Sequence, residues 1–185
     1  MKGKKKNNDI INPMRYGNDI IEFDIGEAGE EFAKLFGANK NLYRITPSMI
    51  DGLKPVQRRI LYTMRTNDAK GKQLRKAQKI AGDTMGRRHP HGDGSIEGAS
   101  GSMAQPWNWN CPMIEGKGNF GSIRGDEVAA LRYIEAKLSD FAIDCYFSDF
   151  EMSNVPKLLA YTGREYEPAY LPSKYPISLV NPQLS

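Results

Sequence analysis

The sequence predicts a mainly α-helical fold with a small β wing, and three observations carry that expectation. Apolar residues recur at helical spacing in stretches before residue 86, and a further helical stripe runs on from Asp126. Between them, from Trp107 to Ile123, lie short extended pieces bent at glycines. Helix, helix, helix, ribbon, helix is the order of a winged helix-turn-helix domain. At 185 residues the chain holds one domain plus an extension. We divide it into an arm and helix (1–41), a winged-helix domain (42–147), and a tail (148–185) whose five prolines open another unit.

The first element is a short amphipathic helix over residues 28–38, built on Phe32, Leu35 and Phe36 and broken at Asn39-Lys40-Asn41. Thr46-Pro47 marks an extended or turn connection. From Pro55 to Thr66 the set Leu53, Val56, Ile60 and Met64 repeats at helical spacing, with Pro55 suited to the first turn. At a helical step of about 100° per residue, Arg58 points about 155° from the centre of that stripe, with Lys54 and Arg59 on its flanks. A second basic helix is expected over Lys72–Met85, with Leu74, Ala77, Ile80 and Ala81 inward and Arg75, Lys76 and Lys79 outward.

Gly86-Arg87-Arg88-His89-Pro90-His91-Gly92-Asp93 forces a loop, after which Asp93 can N-cap a helix to Gln105. That helix contains Gly94, Gly98 and Gly101, each costing about 1 kcal/mol against alanine, which suits a close approach of a bulky group. Asp126 then caps a long helix to Tyr146, striped by Leu131, Ile134, Leu138, Phe141 and Cys145.

The net charge of +4 is unevenly placed. Lys40 to His91 holds 13 Lys/Arg against 3 Asp/Glu, a net of +10 that leaves −6 for the rest. A polyanion such as nucleic acid therefore has one preferred place to sit. Lys2, Lys4, Lys5 and Lys6 read as a solvated tail, with phosphate contact as the alternative, followed by no apolar core of the kind an export signal needs, and no membrane partner is expected. Two cysteines, Cys111 and Cys145, indicate a reducing compartment and no disulfide framework.

Arg132-Tyr133 is the pair that points to chemistry. On the expected helix Tyr133 lies about 110° and Arg132 about 150° from the apolar stripe, so neither is a core residue there. Most tyrosines are packing residues, but a phenol beside a guanidinium, downstream of a basic segment, reads as a nucleophile aimed at a phosphodiester. With a pKa near 10, about one phenol in a thousand is ionised at neutral pH, a deficit of about 4 kcal/mol that cations must offset. Arg132 stays charged and its fork can also bind a phosphate oxygen. Candidate metal ligands are scattered, so any Mg²⁺ is expected to come with another polypeptide. His89 and His91 are the only histidines, set in one exposed loop where Pro90 holds them extended; one can relay a proton and the other donate to a non-bridging oxygen.

Five ordered blocks now resemble the breakage-reunion subunit of type IIA DNA topoisomerases, including its phage forms. They are Asp51 to Leu61, Gly86 to Asp93, Met103-Ala104-Gln105-Pro106, Gly116 to Ser122, and Ala129-Ala130-Leu131-Arg132-Tyr133. The Trp107-Asn108-Trp109-Asn110 run is the phage-like part. The resemblance implies a CAP-like winged-helix domain leading into a tower domain, with Tyr133 forming a 5′-phosphotyrosyl bond beside Arg132. It implies that Arg44 reaches the scissile phosphate across a dimer, with His89 and His91 near the reaction centre. DNA contacts are expected from Lys54, Gln57, Arg58, Arg59, Lys79, Arg87, Arg88 and Ser122.

The implied assembly is a homodimer within a heterotetramer, whose B-type partner binds Mg²⁺ and hydrolyses ATP, in the cytoplasm of a bacterium or an infected host. Gly94 and Gly98 stand where the family's serine and acidic residue help hold quinolones, which implies weak quinolone sensitivity. Leu179-Val180-Asn181-Pro182 departs from the family's Leu-Val-Asn-Gly, and most of the tower is absent, so the chain alone is expected not to pass one duplex through another. A winged-helix DNA-binding protein without catalysis is the alternative. A tyrosine recombinase also uses Arg, His and Tyr, but it leaves 3′ linkages and lacks these blocks.

Overall fold

The computed structural model describes residues 25–181. The lysine cluster Lys2, Lys4, Lys5 and Lys6, and Pro182, lie outside the described residues. The chain divides into two units, one ending at Ala38 and the other beginning at Asn39.

The first unit's helix α1 (Ile25–Lys40) is longer than the expected stretch and buries none of its side chains. Phe32, Leu35 and Phe36, expected to face inward, are all exposed. Local terms support it: Glu27 in the first turn and Lys40 in the last suit the helix dipole. The exposed Glu30–Lys34 pair adds a few tenths of a kcal/mol at most, about 0.3. Asn39-Lys40-Asn41 does not break the helix, which runs on into one π turn (Asn41–Ile45) that carries Arg44. Thr46 is extended before Pro47, as the clash with the proline ring requires.

The second unit is mainly helical with a small antiparallel sheet. Helix α2 (Pro55–Asn67) starts where proline's missing N–H costs nothing, and the Gln57 side chain accepts from the Lys54 N–H at 2.9 Å. Of its expected stripe Leu53, Ile60 and Met64 are buried, with Leu61 added, while Val56 is half-buried.

Arg58 does not point to solvent. Its guanidinium turns back to the fully buried Asp51, donating from Nε at 2.5 Å and Nη2 at 3.0 Å. The same carboxylate accepts from the N–H groups of Leu53 and Leu171, and the Asp51 carbonyl accepts from Tyr146 Oη. A buried carboxylate needs donors of this kind, here from Arg58, Leu53 and Leu171. Asp51 thus ties the start of α2 to the chain's last third.

The second basic helix begins later than expected. Arg75–Lys76 form strand β1, and only Ala77–Arg87 are helical (α3). Ala77, Ile80 and Ala81 are buried as expected, while Leu74 is exposed. Helix α4 (Asp93–Met103) has Gly92, not Asp93, at its N-cap, with Asp93 in the first turn. Its glycines divide: a Cβ at Gly101 would sit 3.0 Å from Val128 Cγ2, whereas Gly94 and Gly98 have nothing within 4 Å.

The long helix over 126–146 does not form. Strand β2 (Ile114–Lys117) pairs antiparallel with β3 (Glu135–Leu138), and β3 with β1, in the order β1-β3-β2. Leu131, Ile134, Leu138 and Cys145 are buried, as a helical stripe would have them. Ile134, Ala136 and Leu138 also alternate, however, and that period of two is the one realised. The Phe120 ring lies across Gly116, 2.1 Å from where a Cβ would stand, so a side chain at that strand position would have to displace the ring.

After β3 come a short helix α5 (Asp140–Ala142) and a π turn (Ile143–Phe147). A hairpin of β4 (Lys157–Leu159) and β5 (Tyr166–Pro168) follows, then one turn of helix, α6 (Ile177–Val180). Leu171 and Ile177 bring this tail into the same core as α2, α3 and α4. Cys111 and Cys145 are free thiols.

Candidate nucleic-acid cleavage site

Three segments converge on an open cavity of about 570 Å³, lined by Arg44, Pro55, Val56, Arg59, His89, His91, Gly92, Gly94 and Ser95. The π turn delivers Arg44, the first turns of α2 deliver Arg59, and the loop between α3 and α4 delivers both histidines. That loop is not extended. The His91 N–H donates to the His89 carbonyl at 2.9 Å, closing a three-residue turn around Pro90. The imidazoles meet edge to face with centroids 4.9 Å apart.

The two histidines differ in exposure, so the expectation of one exposed loop fails for His89, which is 7% exposed while His91 is open. Arg44 Nη2 lies 2.8 Å from His91 Nδ1 and also contacts Nε2. Arg59 Nη1 lies 3.3 Å from His89 Nδ1. A guanidinium only donates, so a ring nitrogen that accepts from one carries no proton: Arg59 leaves His89 Nδ1 bare, while Arg44 reaches both nitrogens of His91, only one of which accepts in a neutral ring. Burial, then the charges of Arg59, His91 and Arg44, push the His89 pKa down to about 4. His91 is lowered for the same kinds of reason: burial first, then Arg44 and Arg59. Both rings are therefore neutral near pH 7.

Tyr133 stands outside this cavity's lining. It is 70% exposed, in a turn rather than on a helix, with its N–H donating to the Ala130 carbonyl. Its position follows from helix capping. The first N–H groups of α3 lack intrahelical acceptors, and those of Ala77 and Gln78 donate to the carbonyls of Ile134 and Leu131. The Ala129 N–H donates to the Asn119 carbonyl on the other side. Leu131 and Ile134 are thereby held inward, and the two residues between them, Arg132 and Tyr133, face water. The Arg132 guanidinium stacks over the Tyr133 ring, 5.2 Å from its centroid. That cation–π contact is with the ring face.

The expected DNA contacts separate into two groups. Lys79 and Arg87 are exposed, and Lys54 half-exposed. Gln57, Arg58 and Arg88 are engaged inside the fold: Arg88 is 3% exposed, donates to Thr63 Oγ1 and to Glu165, and lies over the Tyr62 ring. Arg59 is held by Glu167 through three hydrogen bonds of 2.8–3.1 Å. Ser122 Oγ donates to Asp126 at 2.5 Å and accepts from the Arg124 N–H, closing the turn beyond β2.

Sequence reasoning missed the acids Asp51, Glu165 and Glu167 and the hydroxyl of Ser95. Glu167 lies 108 residues from Arg59, and no local pattern joins them. Among the described residues, no group of three or more His, Cys, Asp or Glu side chains is placed to hold a metal ion, and no helix is long and apolar enough to cross a membrane.

Residues 44–183 match the family model for the A-type polypeptide of DNA gyrase/topoisomerase IV. This chain belongs to that family. The gyrase A-type polypeptide of Chlamydia muridarum is 40% identical over 163 residues, 88% of this chain and 19% of the relative. That of Clostridium acetobutylicum is 44% identical over 139 residues, 75% of this chain and 17% of the relative. The Haloquadratum walsbyi protein of the same name is 45% identical over 139 residues, covering 75% and 16%. The chain thus spans about a fifth of the family members it matches. The matched span takes in Arg44, both histidines and Arg132-Tyr133.

Proposed function

We propose that this chain is the DNA-cleavage part of a type IIA topoisomerase, with helices α2 to α4 and the β1-β3-β2 sheet as a winged-helix domain and residues beyond 148 as the start of a tower. Tyr133 Oη attacks a backbone phosphorus, a 5′-phosphotyrosyl bond forms, and the 3′ oxygen leaves and takes up a proton. Religation is the reverse: the 3′ hydroxyl attacks, and the phenol departs.

The observation that carries this reading is the open, cation-lined cavity under Arg44 and His91, in a family member whose Tyr133 is fixed in solvent by the capping of α3. Because Tyr133 does not line the cavity, the nucleophile of one copy serves the Arg44–His91 pair of a second copy across a two-fold axis. Mg²⁺ is assigned to a B-type partner, which also hydrolyses ATP in the heterotetramer. The cytoplasm of a bacterium or of a phage-infected host is the setting this assembly implies.

The test is to mix the chain with a metal-binding B-type partner, Mg²⁺ and end-labelled duplex DNA, and to trap adducts with denaturant. Adducts at 5′ ends with wild type, and none with Tyr133→Phe, are expected. Salt-sensitive binding with no adduct from either protein would instead favour a non-catalytic DNA-binding module.

A further inference from the structure

Arginines at such cavities commonly meet phosphate directly, yet Arg59 is engaged on both sides. Glu167, 8% exposed on β5, accepts from Arg59 Nε at 3.0 and 3.1 Å and from Nη2 at 2.8 Å. The remaining nitrogen, Nη1, is directed at His89 Nδ1 at 3.3 Å. A guanidinium cannot accept, so Nδ1 carries no proton and the single proton of a neutral ring is on Nε2. Nε2 lies 3.1 Å from Ser95 Oγ, whose hydrogen is directed to the Gly92 carbonyl at 3.0 Å. Every link then has one donor direction, in a chain that runs from β5 through α2 to the first turn of α4.

We propose that Glu167 is a positioning residue: through Arg59 it holds His89 as a neutral imidazole protonated on Nε2, so that of the two histidines only His91 exchanges a proton at the scissile phosphate. The functional half of this statement rests on the cleavage reading above; the structural half does not. The groups facing His89 are Arg59 from α2, Arg44 from the π turn, His91 across the Pro90 turn and Ser95 from α4, with Glu167 behind Arg59. Three of the four facing groups can bear positive charge, which opposes a second proton on the ring. His91, by contrast, has one ring edge on Arg44 and opens into the cavity. His89 then serves as a fixed wall against which His91 is set, 4.9 Å away.

The chain has only two imidazoles, so a long-range ¹H–¹⁵N NMR spectrum of the whole protein resolves both. Near about pH 7, His89 is expected to show protonated Nε2 and bare Nδ1, with little change on acidification to about pH 6, the region in which an unperturbed imidazole titrates. Glu167→Gln keeps the side-chain shape and releases the Arg59 anchor. A hydrogen bond from a charged donor is worth enough to shift the tautomer ratio about tenfold, so the Nδ1–H form should emerge, and Glu167→Asp should restore the original pattern. Ser95→Ala acts from the other end, leaving the Arg59–Glu167 pair intact and speeding solvent exchange of the Nε2 proton about tenfold.

A wild-type His89 that is cationic or protonated on Nδ1 at pH 7 overturns the proposal. So does an unchanged His89 pattern in Glu167→Gln, provided its amide spectrum away from the site still matches wild type. The NMR is done without DNA, so the two readings fail separately. Absent adducts with an intact tautomer count against cleavage, whereas adducts without the tautomer count against Glu167.

Discussion

Acidification should destabilise this fold in a window set by His89. The imidazole is 7% exposed, and burial, with the charges of Arg59, His91 and Arg44 as lesser causes, holds its pKa at about 4, against about 6.5 in the unfolded chain. Between those values the unfolded state binds a proton that the folded state refuses, so stability is full above pH 6.5 and is lost as pH falls toward 4. With those two constants the loss is about 2 kcal/mol at pH 5 and about 3 kcal/mol at pH 4. That is a large part of the 5–15 kcal/mol typical of a domain. The assay is urea unfolding at a series of pH values for wild type and for His89→Gln, which removes the titration while keeping a polar side chain. The informative quantity is the difference in slope, because the carboxylates contribute equally to both proteins. Parallel curves between pH 6.5 and 4.5 would refute the reasoning, since His89 would then be free to charge in the folded state.

Three further outcomes follow from the packing. Asp51→Asn leaves the Arg58 guanidinium beside a fully buried neutral amide, and breaking such a pair costs about 3–5 kcal/mol, so thermal melting should show a loss of most of the stability or no folded protein. Gly98→Ala, with open space at its Cβ, should raise stability by about 0.5–1 kcal/mol, whereas Gly101→Ala, pressed against Val128, should give less gain or a loss; equal melting shifts would contradict the geometry. In a reconstituted complex, quinolones should trap cleaved DNA weakly, because Gly94 and Gly98 present no side chain from α4, and nanomolar trapping would show that the drug finds other contacts.

The helices α2 and α3 were legible because each carries an apolar stripe with a proline or glycine at an end, and α4 because the Pro90 loop stops the preceding helix and Asp93 can open a new one. What the stripe could not decide was the segment after Asp126. Leu131, Ile134 and Leu138 fit a helical period, and Ile134, Ala136 and Leu138 fit a strand period, so the same burial is compatible with both. The choice is made by partners distant in sequence: β2 and β1 pair with both edges of β3, and α3 draws the Leu131 and Ile134 carbonyls to its exposed N–H groups. Tyr133 was singled out on a helix that does not exist, yet it reaches solvent because the residues flanking the Arg132-Tyr133 pair are anchored. The pairing of His89 with His91 was visible in the loop sequence, whereas their inequality was not. It arises from Arg59, Ser95 and Arg44, contributed by three other elements.

The same distinction bears on charge. A net of +10 over Lys40–His91 suggests a uniform attraction for polyanions, but a guanidinium taken out of water needs a carboxylate beside it. Arg58, Arg59 and Arg88 each have one, and two of those three acids, Glu167 and Glu165, come from the β4–β5 hairpin and the turn that joins its strands, outside the basic segment. The acidic remainder of the chain is therefore partly folded back onto the basic part, and of these three held arginines Arg59 lines the cavity. Arg44, Lys79 and Arg132 are among the cations left exposed at the surface, where a phosphate backbone can meet them. Arg44 is alone among them in lining the cavity, which makes it the cation best placed to meet a phosphate there while Arg59 and His89 stay fixed.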